Sequence, residues 1–227
     1  MTHGPGAGQA WPYLSAIWRS TRDSRAAWLD GDPLYVSEIM VNLSTAEMDD
    51  LAATLRGLHR AQRPYAEQSV RGGTQTDRSV LLRHEPILQR ARAALMAAVT
   101  DYVACLPRHS PPHPLLGQPR GAPHIAGSWS VRLDGGGHNV VHSHPLGWIS
   151  SAFYVALPPP DEGTADLEGH LTLGAPPAEL NLDLRPYRTV TPSVGKLVLF
   201  PSTLWHGTIP YRQGERLNIA FDVAAQS

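Results

Sequence analysis

The second half of the chain contains a series of short β-forming runs separated by turn-forming residues. Each run is rich in β-branched or aromatic residues and is bounded by Gly, Pro, Asp or Asn, a pattern typical of short strands. The predicted strands are 129–133, 140–144, 149–157, 167–173, 180–184, 187–191, 196–200 and 216–223. Short strands at near-regular spacing, following a helical first half, predict a mainly β fold with N-terminal helices. The fold class we expect is a double-stranded β-helix, a cupin-like jelly roll.

Helical patterns are confined to the first half of the chain. The sequence Ser-Thr-Ala-Glu at 44–47 has the form of a capping box, and apolar residues recur at helical spacing behind it, so we expect a helix at about 45–60. Pro86 suits a first helical turn, and an apolar stripe follows it until Pro107, which predicts a second helix at about 86–106. Residues 11–29 are compatible with a third helix. Both predicted helices should pack against the sheet as supports.

The length of 227 residues suits one enzyme-sized domain. We expect an N-terminal extension at 1–32, partly disordered or helical and frayed over its first ten residues, and a single jelly-roll domain at 33–227. Six prolines at 107–123 predict an irregular surface connection, with solvated histidines at 109, 113 and 124. Cys105 is the single cysteine of the chain and should pack as a small apolar residue of the second helix.

Composition excludes several classes of partner. The formal net charge is −1, and the 19 Lys and Arg residues are scattered along the chain, so the sequence favours neither a nucleic acid nor an anionic membrane as a partner. A small molecule or a peptide fits better. The N-terminus lacks the features of a signal peptide, no apolar run approaches 18 residues, and a lone cysteine suits a reducing compartment. We therefore expect a cytoplasmic protein of unknown oligomeric state.

Three histidines and an arginine form the strongest chemical signal. His142 and His144 are one residue apart, so on a strand both imidazoles would point the same way, and His206 on a distant strand could complete a facial metal site. Arg216 follows His206 by ten residues and would supply a fixed cation suited to gripping a carboxylate. The pattern indicates a metal with an anionic co-substrate. The alternative is chance, because 11 histidines can produce an H-x-H pair that is only hydrogen-bonded or exposed.

The segments around these residues resemble a known family. They are SWSVRLD at 128–134, HNVVHSHPLGWISSAFYVALP at 138–158 and GKLVLFPSTLWHGTIPYRQGERLNIAFDV at 195–223. The resemblance is to a bacterial branch of the 2-oxoglutarate/Fe(II) oxygenases, whose proximal motif reads H-x-H where most relatives have H-x-D and whose distal motif reads FPS-x-x-WHG. A weaker likeness extends through residues 68–82.

The resemblance implies an enzyme, a 2-oxoglutarate/Fe(II)-dependent dioxygenase using Fe(II), 2-oxoglutarate and O2. It would oxidise a C–H bond of a second substrate, most simply by hydroxylation, and release succinate and CO2. The implied metal ligands are His142, His144 and His206. Arg216 and Tyr154 would hold the far carboxylate of 2-oxoglutarate, and strand alternation puts Asn218 on the same face as Arg216.

Four further residues are candidates for the substrate side. Arg71 and Gln75 lie in a Gly-rich loop that resembles the QS-x-RGGTQT segment of the family, although a plain turn would also explain it. Trp148 flanks the metal motif and would help to keep water away from the metal, or would simply fill the interior. His138 is expected at the mouth of the site or behind a ligand.

His144 stands where the broader superfamily has a carboxylate. Three neutral imidazoles would leave the iron with its full +2 charge. Two alternatives stay open: His144 does not ligate and water takes its place, or Asp134 swings in from the preceding strand. Two alternative functions stay open as well. They are a non-catalytic metal-binding cupin-like protein and a three-histidine dioxygenase that does not use 2-oxoglutarate.

Overall fold

The computed structural model describes residues 7–60, 68–77, 79–159 and 167–225. The α-helices in this part of the chain are α1 (Ala7–Ser20), α2 (Arg25–Asp30), α3 (Thr45–Leu58) and α4 (Pro86–Cys105). The strands are β1 (Ser37–Met40), β2 (Val70–Gln75), β3 (His124–Asn139), β4 (Ile149–Ala156), β5 (Leu171–Leu173), β6 (Arg188–Val190), β7 (Lys196–Pro201), β8 (His206–Thr208) and β9 (Arg216–Ala224). None of the described helices combines the length and the apolar character needed to cross a bilayer.

The strands form two sheets. The large sheet has the order β1-β7-β4-β9-β3-β2, and the small sheet has the order β6-β5-β8. All pairings are antiparallel, and strands that are distant in sequence are neighbours in space. The predicted double-stranded β-helix with N-terminal helices is confirmed. The predicted site lies between the two sheets, because His206 is on β8 of the small sheet and Arg216 is on β9 of the large sheet.

The large sheet has one face packed on helices and one face turned towards the small sheet. Its helix-facing side chains join those of α3 and α4 in the main core, where Leu51 and Leu88 meet Phe153, Ile219 and strand neighbours that water does not reach. The opposite face packs on the small sheet in a second cluster. Side chains alternate along each strand, so every second residue of the large sheet faces the interior between the sheets.

The predicted supports are present. Ser44 accepts from the backbone N–H of Glu47 while Glu47 accepts from that of Ser44, so the capping box forms and α3 begins at Thr45. α4 begins at Pro86, as predicted, and ends at Cys105. Cys105 is exposed, so the expectation that it packs as an apolar residue is wrong. Its position on the last turn of α4 turns it away from the core.

The N-terminal helices bind to the small-sheet side of the fold. Trp205 Nε1 donates to the carbonyl oxygen of Pro12 at 3.1 Å, and the Arg19 guanidinium donates to the carbonyl oxygens of Gly174 and Arg185. Residues 1–6 lie outside the described part of the chain. Residues 7–10 already belong to α1, so the frayed segment does not extend over all ten residues. The boundary between residues 32 and 33 stays a prediction.

Several strands differ from those predicted. The segment 140–144 forms no strand and makes a single bridge, between His142 and His206. The segment 180–184 contains no strand either, and its first residue is the last of a 3-10 turn (Ala178–Leu180). β1 and β8 were not predicted, since strands of four and three residues are too short to show periodicity. β2 occupies the predicted Gly-rich loop. Its pairing with β3 is interrupted by a bulge at Gly72, whose φ of 65° favours glycine.

His113 is buried, so its predicted solvation is wrong. Its Nδ1 accepts hydrogen bonds from the backbone N–H groups of Leu115 and Leu116, which requires the other ring nitrogen to carry the proton. Nε2 then donates to the carbonyl oxygens of Trp28 and Leu29. His113 thus ties the proline-rich connection to α2. Burial lowers its pKa from 6.5 to about 4.

Acid should weaken the fold through His113. Protonation would add a hydrogen to Nδ1, which would then face the two backbone N–H groups whose hydrogen bonds it accepts in the neutral ring. The folded state therefore favours the neutral ring. Because the folded pKa of about 4 lies below the ordinary 6.5, the contribution of His113 is complete above pH 6.5 and is lost as the pH falls towards 4, by up to about 3 kcal/mol. Chemical unfolding of the metal-free protein at several pH values measures this loss. His113→Asn should flatten the pH dependence, and an unchanged slope would contradict the assignment.

Candidate metal centre and anion pocket

Three histidines converge between the sheets. The backbone of His142 bridges that of His206 in both directions, at 2.9 and 2.8 Å, and the His144 N–H donates to the Ser202 carbonyl at 2.8 Å. The three rings lie with centroids 4.2 to 5.2 Å apart, and one nitrogen of each ring lies within 4.8 Å of the others. The H-x-H pair is therefore positioned by a bridge to β8 rather than by a regular strand.

Glycine beside His206 permits this close approach. A Cβ on Gly207 would lie 3.0 Å from Val141 Cγ2 and 3.2 Å from the Asn139 carbonyl oxygen. Either contact is tighter than ordinary packing, so a larger residue would push β8 away from the H-x-H segment. The local sequence Trp-His-Gly thus brings the third histidine within reach of the first two.

The hydrogen bonds of the three rings fix which nitrogen faces the centre. Nδ1 of His142 lies 2.8 Å from the Val140 carbonyl oxygen, and Nδ1 of His206 lies 2.9 Å from the Leu204 carbonyl oxygen. Nδ1 of His144 lies 2.8 Å from both carboxylate oxygens of Asp222. These acceptors require Nδ1 to carry the proton in each ring. The three Nε2 lone pairs are therefore free to face one another, an arrangement that a cation would stabilise.

The environment keeps two of the rings neutral. Burial, reinforced by repulsion from His144, lowers the pKa of His142 to about 4. Burial and the neighbouring histidines lower the pKa of His206 well below its usual 6.5. Neutral imidazole is the form that ligates metals, so these residues are ready to bind a cation at neutral pH. Three imidazole nitrogens fit Fe(II), as well as other divalent ions of the first transition row.

A buried cation without a counter-ion lies further along β9. Arg216 is 3% exposed, and its guanidinium donates to the Gly169 carbonyl oxygen and lies 4.9 Å from the ring centroid of Tyr154. Over the residues that the structure covers, no carboxylate forms an ion pair with Arg216, and its Nε has no hydrogen-bond partner. A buried charge is costly unless it is paired, so this site suits an anion.

Polar groups beside Arg216 are also left without partners. The buried hydroxyls of Tyr154 and Tyr211 and Oδ1 of Asn218 have no hydrogen-bond partner among the described residues. Burial raises the pKa of Tyr154 and that of Tyr211, the latter to about 12, so both hydroxyls keep their protons as donors. Sequence reasoning included Tyr154 and Asn218 but missed Tyr211, which lies in an irregular loop where no periodicity predicts the direction of a side chain.

One strand joins the two sites. Arg216, Asn218, Ala220 and Asp222 alternate along β9 and share its inner face, while the residues between them lie in the main core. Asn218 is opposite Tyr154 on β4 and Val131 on β3. Ala220, which lies between Asn218 and Asp222 on this face, is partly exposed although it is in the middle of the strand.

Residues 127–222 match the family model described as "Putative 2OG-Fe(II) oxygenase". The match covers less than half of the chain, and over this segment the protein is similar to the 2OG-Fe(II) oxygenases. The match contains β3 to β9 almost completely, and with them the three histidines and Arg216. The predicted enzyme class and the predicted cofactors, Fe(II) and 2-oxoglutarate, are thereby confirmed at the level of the family. No curated protein gives a significant match to the chain.

Solved structures of low identity share the fold of this protein. A Pseudomonas putida prolyl-4-hydroxylase aligns with a TM-score of 0.54 at 17% identity, covering 85% of this chain and 94% of its own. HygX from Streptomyces hygroscopicus, with nickel, 2-oxoglutarate and hygromycin B bound, has a TM-score of 0.54 at 13% identity and coverages of 85% and 83%. A Trichoplax adhaerens prolyl hydroxylase in complex with a hypoxia inducible factor peptide has 0.53 at 16%, with coverages of 99% and 94%.

The candidate substrate residues are less well supported by their positions. Arg71 is exposed and donates to the carbonyl oxygens of Gln68 and Val70 on its own segment. Gln75 is opposite Val131 and so shares the inner face with Asn218. Trp148 lies in the main core with its Nε1 donating to the Leu115 carbonyl oxygen, as expected of a residue that fills the interior, and its part in shielding the site stays a prediction.

His138 and Asp134 lie at the loop end of β3. His138 Nδ1 is 3.3 Å from the Gly136 carbonyl oxygen in a partly exposed position, compatible with the rim of the site. Asp134 is exposed and is absent from the cluster of metal-binding groups. The carboxylate that contacts a histidine of the cluster is Asp222, which the sequence interpretation did not include. Strand alternation from Arg216 predicts that Asp222 lies on the same face of β9. The contact between Asp222 and His144 depends on the tertiary fold and has no local sequence signal.

Proposed function

We propose that this oxygenase binds Fe(II) through His142, His144 and His206 and binds 2-oxoglutarate between the metal and Arg216. The reaction we propose is oxidation of a C–H bond of a second substrate, most simply its hydroxylation, with conversion of 2-oxoglutarate to succinate and CO2. We keep the cytoplasmic location as part of this proposal.

The observation that carries the proposal is the buried guanidinium of Arg216, for which the described residues provide no carboxylate partner. It lies on the inner face of the strand whose other end contacts His144, next to two tyrosine hydroxyls that lack acceptors. A dicarboxylate that reached the metal with one end would bring its second carboxylate to this cluster. A protein that bound only a metal would have no use for a buried cation there, and leaving it unpaired would be costly.

The protein groups bind and orient, and they act as neither acids nor bases. Arg216 and the two tyrosines would hold one end of 2-oxoglutarate, and Asn218 lies beside them on the same face. Phe200, whose ring centroid is 4.8 Å from that of His206, helps to exclude water behind the metal. Bound Fe(II) and 2-oxoglutarate would supply the oxidising chemistry with O2.

The second substrate is proposed to be a small molecule or a peptide. Two structures of similar fold hold such ligands, hygromycin B in one and a hypoxia inducible factor peptide in the other. Trp129 lies 5.5 Å from the His144 ring, measured between centroids, and is partly exposed. It offers an apolar surface on the accessible side of the metal site, where a substrate C–H bond would have to lie.

Spectroscopy of the metal-loaded protein tests the proposal. We expect Fe(II) and then 2-oxoglutarate, added without oxygen, to give a visible charge-transfer band at one equivalent of each. Admission of O2 should then produce succinate. Metal binding without the band would favour the non-catalytic metal-binding protein. Substrate oxidation without succinate would favour the three-histidine dioxygenase that does not use 2-oxoglutarate.

A further inference from the structure

We propose that Asp222 is a positioning residue that supplies, one hydrogen bond away from the metal, the negative charge that three imidazole ligands lack. This inference rests on the proposed metal site and adds a residue that lies outside the ligand set. The carboxylate would hold the His144 ring with Nε2 towards the metal and would make that nitrogen a stronger donor.

The contacts of Asp222 single out one ligand of the three. Both of its carboxylate oxygens lie 2.8 Å from Nδ1 of His144, whereas His142 and His206 donate to neutral backbone carbonyl groups. A carboxylate is a stronger acceptor than a carbonyl, so the three imidazoles are not equivalent. The polarised ring belongs to His144, the residue that stands where most members of the superfamily have a carboxylate.

The carboxylate of Asp222 is itself held in place. Ser150, directly opposite on β4, donates its hydroxyl to Oδ1 of Asp222 at 2.6 Å. The Ser150 hydroxyl also lies 2.9 Å from Oγ of Ser202, where it is again the donor, so its one hydrogen is shared between the two acceptors. The resulting chain runs from Ser202 through Ser150 and Asp222 to His144. Ser202 also accepts the backbone N–H of His144 with its carbonyl group, so both ends of the chain meet at the same ligand.

The charge of Asp222 is directed at the histidine. Its side chain is 17% exposed, and across the described ranges the structure gives it no ion pair with a lysine or an arginine. An unpaired, largely buried carboxylate is costly in the absence of a cation. A metal bound to Nε2 of His144 would supply that cation on the far side of the imidazole ring. The carboxylate would in turn partly offset the +2 charge of the metal.

The test combines Asp222→Asn with His144→Asp. Asparagine keeps the shape of the side chain and an oxygen acceptor but removes the charge. In the wild-type background, Asp222→Asn should weaken Fe(II) and Co(II) binding roughly 10- to 100-fold and should shift the visible absorption of the Co(II) form. In the His144→Asp background no imidazole is left for Asp222 to polarise, so the same substitution should change metal affinity much less than in the wild type.

The difference between the two backgrounds distinguishes an effect through the His144 ring from a general structural role. Asp222→Asn lowering affinity equally in both backgrounds would overturn the proposal, as would an unchanged affinity in the wild-type background. Asp49→Asn, an exposed change on α3, is the matched control and should leave both affinities unaltered. Thermal unfolding of each metal-free variant checks that it folds. If wild-type protein binds neither ion, the proposed function fails together with this inference. If it binds them and the two backgrounds respond alike, the inference alone fails.

Discussion

Arg216→Met is expected to raise the dissociation constant for 2-oxoglutarate by roughly 30-fold to a few thousand-fold, while Fe(II) affinity stays nearly unchanged. The range corresponds to about 2 to 5 kcal/mol for loss of one member of a buried charged pair. Methionine fills similar space without donors, so the carboxylate would face Tyr154 and Tyr211 alone. Titrations of Fe(II), and then of 2-oxoglutarate into the metal-loaded protein, measure the two affinities separately.

Two variants sharpen this experiment. Arg216→Lys should recover only part of the affinity, because an ammonium group cannot form two parallel bonds to a carboxylate. Arg212 lies in the loop before β9, is exposed and pairs with Glu168, so Arg212→Met should leave 2-oxoglutarate affinity unaltered. If Arg216→Met bound 2-oxoglutarate as tightly as the wild type, the main support for an oxygenase over a metal-binding jelly roll would disappear.

His206→Ala is expected to abolish tight Fe(II) binding. The residue is buried and contributes one of three converging nitrogens, and the two that remain cannot form a facial site. In the wild type, metal at about 100 times its dissociation constant should stabilise the fold by about 2.7 kcal/mol. Thermal unfolding with and without Fe(II) or Co(II) measures this gain, which should vanish in the variant.

His142→Ala should behave in the same way, and His124→Ala serves as the matched control. His124 is exposed at the start of β3, so its loss should leave the metal-dependent stabilisation intact. A variant without His206 that still gained stability from one equivalent of metal would show that the ion binds elsewhere. The metal-free variants must unfold cooperatively for the comparison to hold.

The sequence predicted the fold class because alternation and turn residues are local properties. Helices α3 and α4 were predictable for the same reason, through the capping box at Ser44 and the proline at 86. Strand β8 was not, since three residues carry no periodicity and its pairing partners come from distant parts of the chain. His113 was misassigned because a proline-rich composition suggests solvent, although folding places this residue under two backbone carbonyl groups.

The residues of the candidate site likewise divide into those that local motifs predict and those that only the tertiary fold brings together. Spacing within one motif indicated His142 and His144, and the distal motif indicated His206 and Arg216. The partners of these residues come from elsewhere in the fold. Asp222 meets His144 across 78 residues of sequence, and Tyr211 reaches Arg216 from an irregular loop. Neither contact has a local signature, because both depend on how the two sheets close on each other.

Strand β9 fixes the spacing between Arg216 and Asp222. It carries Arg216 at one end and Asp222 near the other, on the same face, between β4 and β3 in the large sheet. Inserting or deleting one residue between them would turn one of the two side chains to the helix-packed face. The distance between the residue that would bind the co-substrate and the metal site can therefore change only in steps of two residues along the strand. New substrate specificity would then have to arise in the loops and in side chains such as Trp129 on β3, whose identity the backbone pairing does not fix.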